Sequence, residues 1–414
     1  MTLRGYCLLL ALAVFETAGF SQARDLDYYI SAALSNSPLI NDLKNQAHSA
    51  TLDSLITVAQ RKPKIEGKSQ AVFSPYAKNW GYDEVITDGG NYQAVASVSQ
   101  DLFMKSRNLN AYQAIDYEKQ GLNLSVKLTS AELRKTITAL YIDAYSSLSD
   151  LNFNLSLLEL MENENAIARK FAENGIYSKS DYLSALVETE GQKVIVSQLR
   201  SQYRSNVLLM NAACGISDTS AVRLETPTVD RVQVLTGNTY LALRQFYIDS
   251  LKIINEKEAV GLKYRPFVNW FADAGILSSN PVTVYRHAGF SAGLSLTIPI
   301  YDGHQRKTEE DKIALKENSR SRYSETARKE YDQEYARLSE ELEGIGKVRD
   351  GLEKQLALSD ELLRSLRIQL ESGLIKMQDY LSAIKNYRNI SRSLIFTEID
   401  GWRIRNEINF ILTK

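Results

Sequence analysis

The chain reads GIYSKSDYLSA at residues 175–185 and repeats this segment 198 positions later as GLIKMQDYLSA at residues 373–383, with six of the eleven positions identical. At the same offset, SVSQDLF at 97–103 returns as SLTIPIY at 295–301. Each copy has 71 residues between its two segments, so this spacing has stayed constant while the sequence drifted. In a helix, one lost residue rotates everything beyond it by roughly 100°. We therefore expect two similar halves built on long helices of fixed length.

The first 23 residues have the pattern of a secretory signal peptide. An apolar run from Tyr6 to Phe15 follows Arg4, and small residues at 21–23 offer a cleavage site. Cys7 lies inside the apolar run, which argues against lipid attachment through an N-terminal cysteine. The sequence therefore predicts an exported protein.

Composition excludes several classes of protein. The net charge of −1 argues against nucleic acid as a partner. After processing, only Cys214 remains, so no disulfide framework can form. No later stretch reaches 18 uninterrupted apolar residues, so no transmembrane helix is predicted.

Prolines mark where long helices can form, because proline costs about 3 kcal/mol inside a helix. None occurs from 76 to 226 or from 300 to 414. Apolar residues in these regions recur at steps of three and four, which predicts coiled-coil-like packing. They are Leu133, Ile137, Leu140, Tyr141, Ala144, Tyr145, Leu148, Leu151, Leu155, Leu158 and Met161 in the first copy, and Leu338, Leu342, Ile345, Val348, Leu352, Leu356, Leu363, Leu366 and Leu370 in the second.

Glycine and serine place the ends of these helices. Gly175 and Gly373 follow the two stripes as C-terminal stop signals. Ser178, with Asp181 three residues later, predicts a capping box that starts the next helix.

Strands are predicted at the other end of each copy. In the clearest one, six apolar residues alternate with small or polar ones, which is the period of a β-strand. These residues are Phe290, Ala292, Leu294, Leu296, Ile298 and Ile300. A partner strand should follow Pro266, with Val268, Trp270, Ala272, Ala274 and Ile276 on one face. The first copy is less regular, and Gln100 interrupts its apolar face.

The predicted fold is mainly α-helical with a small β part, arranged as a duplicated helix–strand–strand–helix repeat. Each half should combine one long helix, on the order of 100 Å at 1.5 Å per residue, with two helices of about half that length. The predicted boundaries are 1–23 for the signal peptide, 24–215 for the first repeat (helices about 27–60, 104–172 and 178–213; strands about 64–73 and 92–102), 216–239 for an inter-repeat linker, and 240–414 for the second repeat (helices about 240–264, 303–371 and 376–412; strands about 267–276 and 289–301).

Four strands with one apolar face suggest part of a transmembrane barrel. An open sheet edge cannot lie in hydrocarbon, so the sheet would have to close by oligomerisation. Three copies of four strands would supply twelve. The alternative is a small soluble sandwich packed on the helices, which leaves the long helices unexplained.

The sequence resembles the TolC-like outer membrane efflux proteins across essentially the whole mature chain. Four segments carry the resemblance: the entry helix and its proline at 26–38, the strand leading into a long helix at 293–303, the paired glycine turns with an aspartate six residues later, and the helix end NAACG at 211–215. The resemblance implies a homotrimer with a twelve-stranded barrel in the outer membrane of a Gram-negative bacterium, in contact with its lipid. It also implies a helical tunnel in the periplasm.

The resemblance further implies an exit duct for efflux or type I secretion, docked to a periplasmic adaptor protein and driven by an inner-membrane transporter. It places Gly175, Asp181, Gly373 and Asp379 at the periplasmic tip, as gate or adaptor contacts. Asp181 also has a purely structural reading as a helix cap. Where relatives hold the tip shut with a tyrosine, an arginine and inner aspartates, this chain has, in the same order, Leu370, Ile375 and Ser382.

Enzyme motifs are missing from the sequence. His48, His287 and His304 are scattered, and Cys214 has no evident base partner. No phosphate loop, nucleophile motif or metal-spaced Cys/His set is present, so no catalytic residue, cofactor or metal is predicted. Two rival hypotheses remain: a soluble periplasmic coiled-coil adaptor or scaffold, and a surface adhesin or filament.

Overall fold

The computed structural model describes residues 24–75, 80–81, 89–175, 178–220, 222–229, 240–372 and 374–413. The predicted signal peptide, residue Gly373 and most of the second half of the predicted linker lie outside them. The elements in the described residues are α1 (Leu26–Asn36), α2 (Pro38–Ala59), β1 (Lys64–Phe73), β2 (Gly90–Leu102), α3 (Lys105–Glu173), α4 (Lys179–Ala213), α5 (Leu243–Lys263), β3 (Phe267–Ser278), β4 (Ala288–Thr297), α6 (Gln305–Glu371) and α7 (Met377–Thr413), with a short 3₁₀ turn at Val284–Arg286. The predicted fold class, mainly helical with four strands, is confirmed.

Two predicted elements differ from the structure because of proline. The helix expected at about 27–60 is two helices, α1 and α2, with Ser37 between them in an extended conformation (φ −66°, ψ 115°). Proline disfavours the helical conformation in the residue before it, and Pro38 is then well placed as the first residue of α2. β4 ends at Thr297 rather than near 301, since Pro299 has no N–H for the sheet.

The chain divides into two compact units. The bundle unit contains the described residues of Met1–Ser37, Glu132–Gln233 and Tyr335–Phe410, and the sheet unit contains those of Pro38–Ala131, Val234–Glu334 and Ile411–Lys414. Each unit therefore combines segments from both copies of the repeat.

The four strands of the sheet unit form one antiparallel sheet in the order β1-β2-β3-β4. Residues directly opposite each other in such a sheet share a face. The register places Ile65 opposite Val98, Val98 opposite Ala272, and Ala272 opposite Ala292, so these residues lie on one face, the apolar face. Its members are Ile65, Gly67, Ser69, Ala71 and Phe73 from β1, Tyr92, Ala94, Ala96, Val98, Gln100 and Leu102 from β2, Val268, Trp270, Ala272, Ala274, Ile276 and Ser278 from β3, and Ala288, Phe290, Ala292, Leu294 and Leu296 from β4.

The opposite side, the polar face, carries most of the charge of the sheet. Its charged members are Lys64, Glu66 and Lys68 from β1, Asp101 from β2 and Asp273 from β3. On β4 the same side consists of Gly289, Ser291, Gly293, Ser295 and Thr297. On β3 this side also holds Phe267, Phe271 and Leu277, so the sheet is amphipathic mainly through β1, β2 and β4.

Gln100 is the polar exception on the apolar face, and its amide is satisfied there. Its Oε1 accepts a hydrogen bond from Trp270 Nε1 (3.3 Å), and its Nε2 donates to the carbonyl oxygen of Arg61 (2.8 Å). Because both ends of the amide are bonded, the residue can sit among apolar neighbours at little cost.

One apolar cluster of the bundle unit surrounds Tyr29 and Tyr141, whose side chains are fully buried. The Tyr141 hydroxyl lies 3.0 Å from the carbonyl oxygen of Arg24 and 2.7 Å from that of Glu225. Arg24 also forms an ion pair with Asp218 (2.7 Å). These contacts attach the start of the described chain, and the segment after α4, to the middle of α3.

The buried side of α3 changes character toward its C-terminus. Four residues of the predicted apolar stripe are buried as expected: Ile137, Tyr141, Ala144 and Leu151. Beyond it, the buried positions are Asn154, Leu157, Met161, Glu164 and Ala168, whereas Leu155 is exposed. Steps of three and four continue, but two of the five positions are polar. Asn154 is bonded to Gln192 of α4, whose Nε2 lies 2.9 Å from its Oδ1.

Candidate functional site

Both helix-to-helix turns lie at one end of the bundle unit, which we call the turn end. There the C-terminal parts of α3 and α6 and the N-terminal parts of α4 and α7 share an apolar cluster. Its buried members are Leu157, Met161, Ala168, Ala185, Leu363, Leu370, Met377, Tyr380, Leu381 and Ile384. Side chains from both copies of the repeat therefore meet at this end.

The first turn has the backbone and cap that its sequence predicts. Gly175 has a positive φ of 71°, a conformation that glycine adopts without strain. The Ser178 Oγ accepts a hydrogen bond from the backbone N–H of Asp181 (3.1 Å). In return, the Asp181 carboxylate accepts from the backbone N–H of Ser178 (3.3 Å). The predicted capping box is confirmed, so Asp181 has a structural task whether or not it also contacts a partner.

We expect Ser178→Ala to loosen the first turn of α4 by about 1 kcal/mol, because the N–H of Asp181 loses the hydroxyl cap and keeps only the Ser178 carbonyl oxygen (3.1 Å). Hydrogen exchange of peptides covering residues 179–184 measures this local effect. Ser184→Ala, at an exposed position on the same helix, is the matched control. Equal exchange in both variants would show that the cap contributes nothing.

The second turn is built differently. Lys376 stands where the first turn has Ser178, so no hydroxyl is available there as a cap. The N–H of Asp379 bonds to the carbonyl oxygen of Lys376 (3.1 Å), and Asp379 is exposed. The Oγ of Ser382 donates to the carbonyl oxygen of Gln378 in its own helix (2.8 Å).

The structure separates Leu370, Ile375 and Ser382, which the sequence resemblance assigned to the tip. Leu370 is fully buried in the apolar cluster, and Ile375 packs against that cluster while partly exposed. Ser382 is exposed on α7. The leucine therefore holds the four helices of its own chain together.

A buried carboxylate at the turn end was not predicted from the sequence. Glu164 of α3 is 2% exposed, and neither carboxylate oxygen has a hydrogen bond within the described residues. The Nε of Arg367 from α6 lies 3.4 Å from its Oε1, and also 3.3 Å from the Oε1 of Glu371. Burial raises the pKa of Glu164, against an opposing effect of Arg367. The continuing three-and-four spacing of α3 was the signal that could have identified this position.

Tyr380 of α7 completes the surroundings of Glu164. Its side chain is buried, its hydroxyl faces the carboxyl group, and burial chiefly raises its pKa to about 12. The phenol therefore stays neutral at any physiological pH and can act as a hydrogen-bond donor.

A groove of about 430 Å³ runs beside the turn end, between α4 and α7. Its lining includes the exposed Val187 and the buried Leu157, Met161 and Ile384, together with Glu188 and Lys385. These two charges form an ion pair between α4 and α7 (2.7 Å). The groove has the apolar lining and charged margin that suit an amphipathic helix.

The described residues lack a side-chain cluster of the kind that binds a metal ion. No cluster of three or more His, Cys, Asp or Glu side chains among them could hold a metal ion. Burial raises the pKa of the Cys214 thiol to about 11, which keeps it protonated and unreactive. None of the helices in the described part of the chain is long and apolar enough to cross a membrane.

Comparison with known proteins finds likeness in structure only. No family model and no curated protein sequence matches this chain. Solved structures do match over nearly its full length. The channel-forming protein CusC has a TM-score of 0.76 at 13% identity, covering 97% of this chain and 95% of that one. The outer membrane protein VceC of Vibrio cholerae has a TM-score of 0.76 at 12% identity, covering 94% of this chain and 96% of that one. The outer membrane channel MtrE of Neisseria gonorrhoeae, in its open state, has a TM-score of 0.71 at 13% identity, covering 94% and 88%.

Proposed function

We infer, from the fold that this chain shares with solved outer membrane efflux channels, that it is the subunit of a trimeric outer membrane channel. The channel serves as the passive exit duct of a tripartite efflux or type I secretion system in a Gram-negative bacterium. The observation that carries the proposal is the four-stranded sheet with one apolar and one polar face.

The apolar face supports a membrane location because nothing in the described residues covers it at the edge strands β1 and β4. Phe290 is 91% exposed, Leu294 74% and Ile65 77%. Burial of apolar surface is worth roughly 25 cal/mol per Å², so a face of this kind is stabilised by lipid. The polar face then lines a water-filled interior, as in transmembrane barrels.

The edges of the sheet support oligomerisation. Within the described residues, β1 and β4 each pair with one strand, which leaves one side of each without a ladder there. Hydrocarbon does not tolerate such edges. Three copies joined edge to edge give a closed barrel of twelve strands with every backbone group paired.

The bundle unit supplies the periplasmic part of the duct, with the turn end as its tip. Gly175, Asp181 and Asp379 lie in or just after the two turns, and Gly373 belongs to the second turn by its sequence position; we propose that these residues form gate or adaptor contacts. Ile375 is the apolar candidate for closing the tip, whereas Leu370 acts from inside the chain by holding the helices. Ser382, which faces outward on α7, is a candidate for contact with another copy or with the adaptor.

The partners that we propose are a periplasmic adaptor and an inner-membrane transporter. A helical hairpin of the adaptor would lay its apolar face in the groove between α4 and α7, where Glu188 and Lys385 offer charges to its polar side. The channel itself performs no reaction and needs no cofactor or metal, since its task is to provide a continuous path.

Fractionation of cells that produce the full chain tests the proposal. We expect the protein in the detergent-soluble outer membrane fraction, with a cross-linked mass of three chains. Deletion of the gene should sensitise cells to compounds that an efflux system removes. A soluble monomer released by osmotic shock would overturn the proposal and favour the periplasmic adaptor or scaffold.

A further inference from the structure

Glu164 is a buried charge that the proposed channel does not use. Its neighbours come from two other helices: Arg367 and Glu371 from α6, and Tyr380 from α7. No charged group of α4 or of α3 itself acts on it among the described residues. The carboxylate therefore has a single cation for its charge.

That cation is poorly suited to neutralise Glu164. The Arg367 side chain is about half exposed, so water screens its charge. It is also shared, because Glu371 lies 0.1 Å closer to the same Nε, at 3.3 Å against 3.4 Å. A buried carboxylate whose one cation is shared and screened is costly, even where the Tyr380 hydroxyl faces it. A proton from water, added to one carboxylate oxygen, would remove the charge and let the group donate or accept a neutral hydrogen bond.

We propose that Glu164 is a proton-sensitive clasp at the turn end of the bundle unit. With a proton on Glu164, α3, α6 and α7 pack tightly; when the proton leaves, the buried charge loosens them. The clasp depends only on the packing within the chain. If the turn end is the channel tip, the tip should open more readily at neutral than at acidic pH. That consequence, unlike the clasp itself, rests on the proposed function.

The sign of the pH dependence follows from linkage. Burial raises the pKa of Glu164 in the packed state above the ordinary value of 4.5, so the packed state binds more protons than the loosened state in the interval between the two values. Stability of the turn end therefore falls as pH rises through that interval, and the full cost of the charge is present above the raised pKa. Acid tightens this end of the bundle.

Hydrogen exchange of the full-length protein at pH 5.5, 6.5, 7.5 and 8.5 tests the clasp. After correction for intrinsic rates, peptides covering residues 160–173 and 364–372 should lose protection as pH rises, by at most about tenfold per pH unit. Glu164→Gln, a neutral side chain of the same shape, should keep the low-pH protection of the unsubstituted protein at every pH. Glu159→Gln, at an exposed position on the same helix, is the matched control and should follow the unsubstituted protein.

Arg367→Gln provides a second and independent reading. Removal of the one cation near Glu164 among the described residues should raise the pKa of Glu164 in the packed state further, so the loss of protection continues to higher pH and becomes larger in total. When Arg367→Gln is combined with Glu164→Gln, it should add little pH dependence to the exchange protection. If Glu164→Gln fails to fold, the shift produced by Arg367→Gln decides the question.

Two results would overturn the clasp: a pH dependence in Glu164→Gln equal to that of the unsubstituted protein, or an unchanged pH window in Arg367→Gln. Neither result bears on localisation or trimer formation. Conversely, a protein recovered as a soluble monomer could still show the predicted exchange pattern. The experiment therefore separates failure of the clasp from failure of the proposed function.

Discussion

The substitution Ala292→Arg is expected to remove most of the protein from the outer membrane, whereas Ser291→Arg is expected to leave its location unchanged. Both residues are exposed in the single chain and adjacent in β4, but they lie on opposite faces of the sheet. Arginine on the lipid-facing side near mid-membrane costs about 2–4 kcal/mol per chain. On the polar face, arginine would lie opposite Asp273 and could pair with it.

The measurement is the share of protein in the outer membrane fraction, with resistance to trypsin as a second reading of correct assembly. Because both variants add the same side chain to the same strand, the comparison cancels general effects on expression and strand propensity. Equal loss in the two variants would show that both faces meet the same environment, and the membrane assignment would then fail.

Gly275→Ala is expected to break the pairing between β2 and β3. A Cβ at this position would lie 2.2 Å from the carbonyl oxygen of Ala94 and 2.6 Å from the Cα of Val95. Both are backbone atoms of β2, which cannot rotate away as a side chain could. Overpacking typically costs roughly 1–3 kcal/mol, and we expect the free energy of unfolding to fall by about 3 kcal/mol or more here. The hairpin β1–β2 should then separate from the hairpin β3–β4.

Gly289→Ala is the matched control, because Gly289 is the partner of Gly275 on β4 and a Cβ there has no atom within 4 Å. We expect it to change stability by less than about 1 kcal/mol. Thermal unfolding and limited proteolysis of the purified protein compare the pair. A Gly275→Ala protein as stable as Gly289→Ala would contradict the close approach of β2 and β3.

Local patterns predicted the regular elements well. The period-2 alternation of β4 and the capping box at Ser178 depend only on neighbouring residues, and the structure shows both. β1 was harder to interpret, because Gly67 and Ser69 weaken the apolar side of its alternation. Strand geometry already places these small residues on the face of Ile65, but only the register with β2 shows that Val98 shares that face.

The candidate site was predicted in part. Its two turns follow from glycine and capping signals, but the interior of the turn end does not. Apolar spacing selected Leu155 and Leu158 on α3, whereas the buried position is Leu157. Burial of Glu164 was not predicted either, because a charged side chain is expected to be exposed unless the residues around it are known.

The sequence by itself determined the duplication, the proline-free helices and the alternating strands, because each is a property of residues near one another in the chain. Only the tertiary structure decided how β2 meets β3, which joins the hairpins of the two repeats, and which side of each long helix is buried. Burial depends on partners about 200 residues away, such as Arg367 for Glu164. Because the free energy of burying a side chain depends on such distant neighbours, it cannot be predicted from a local sequence pattern.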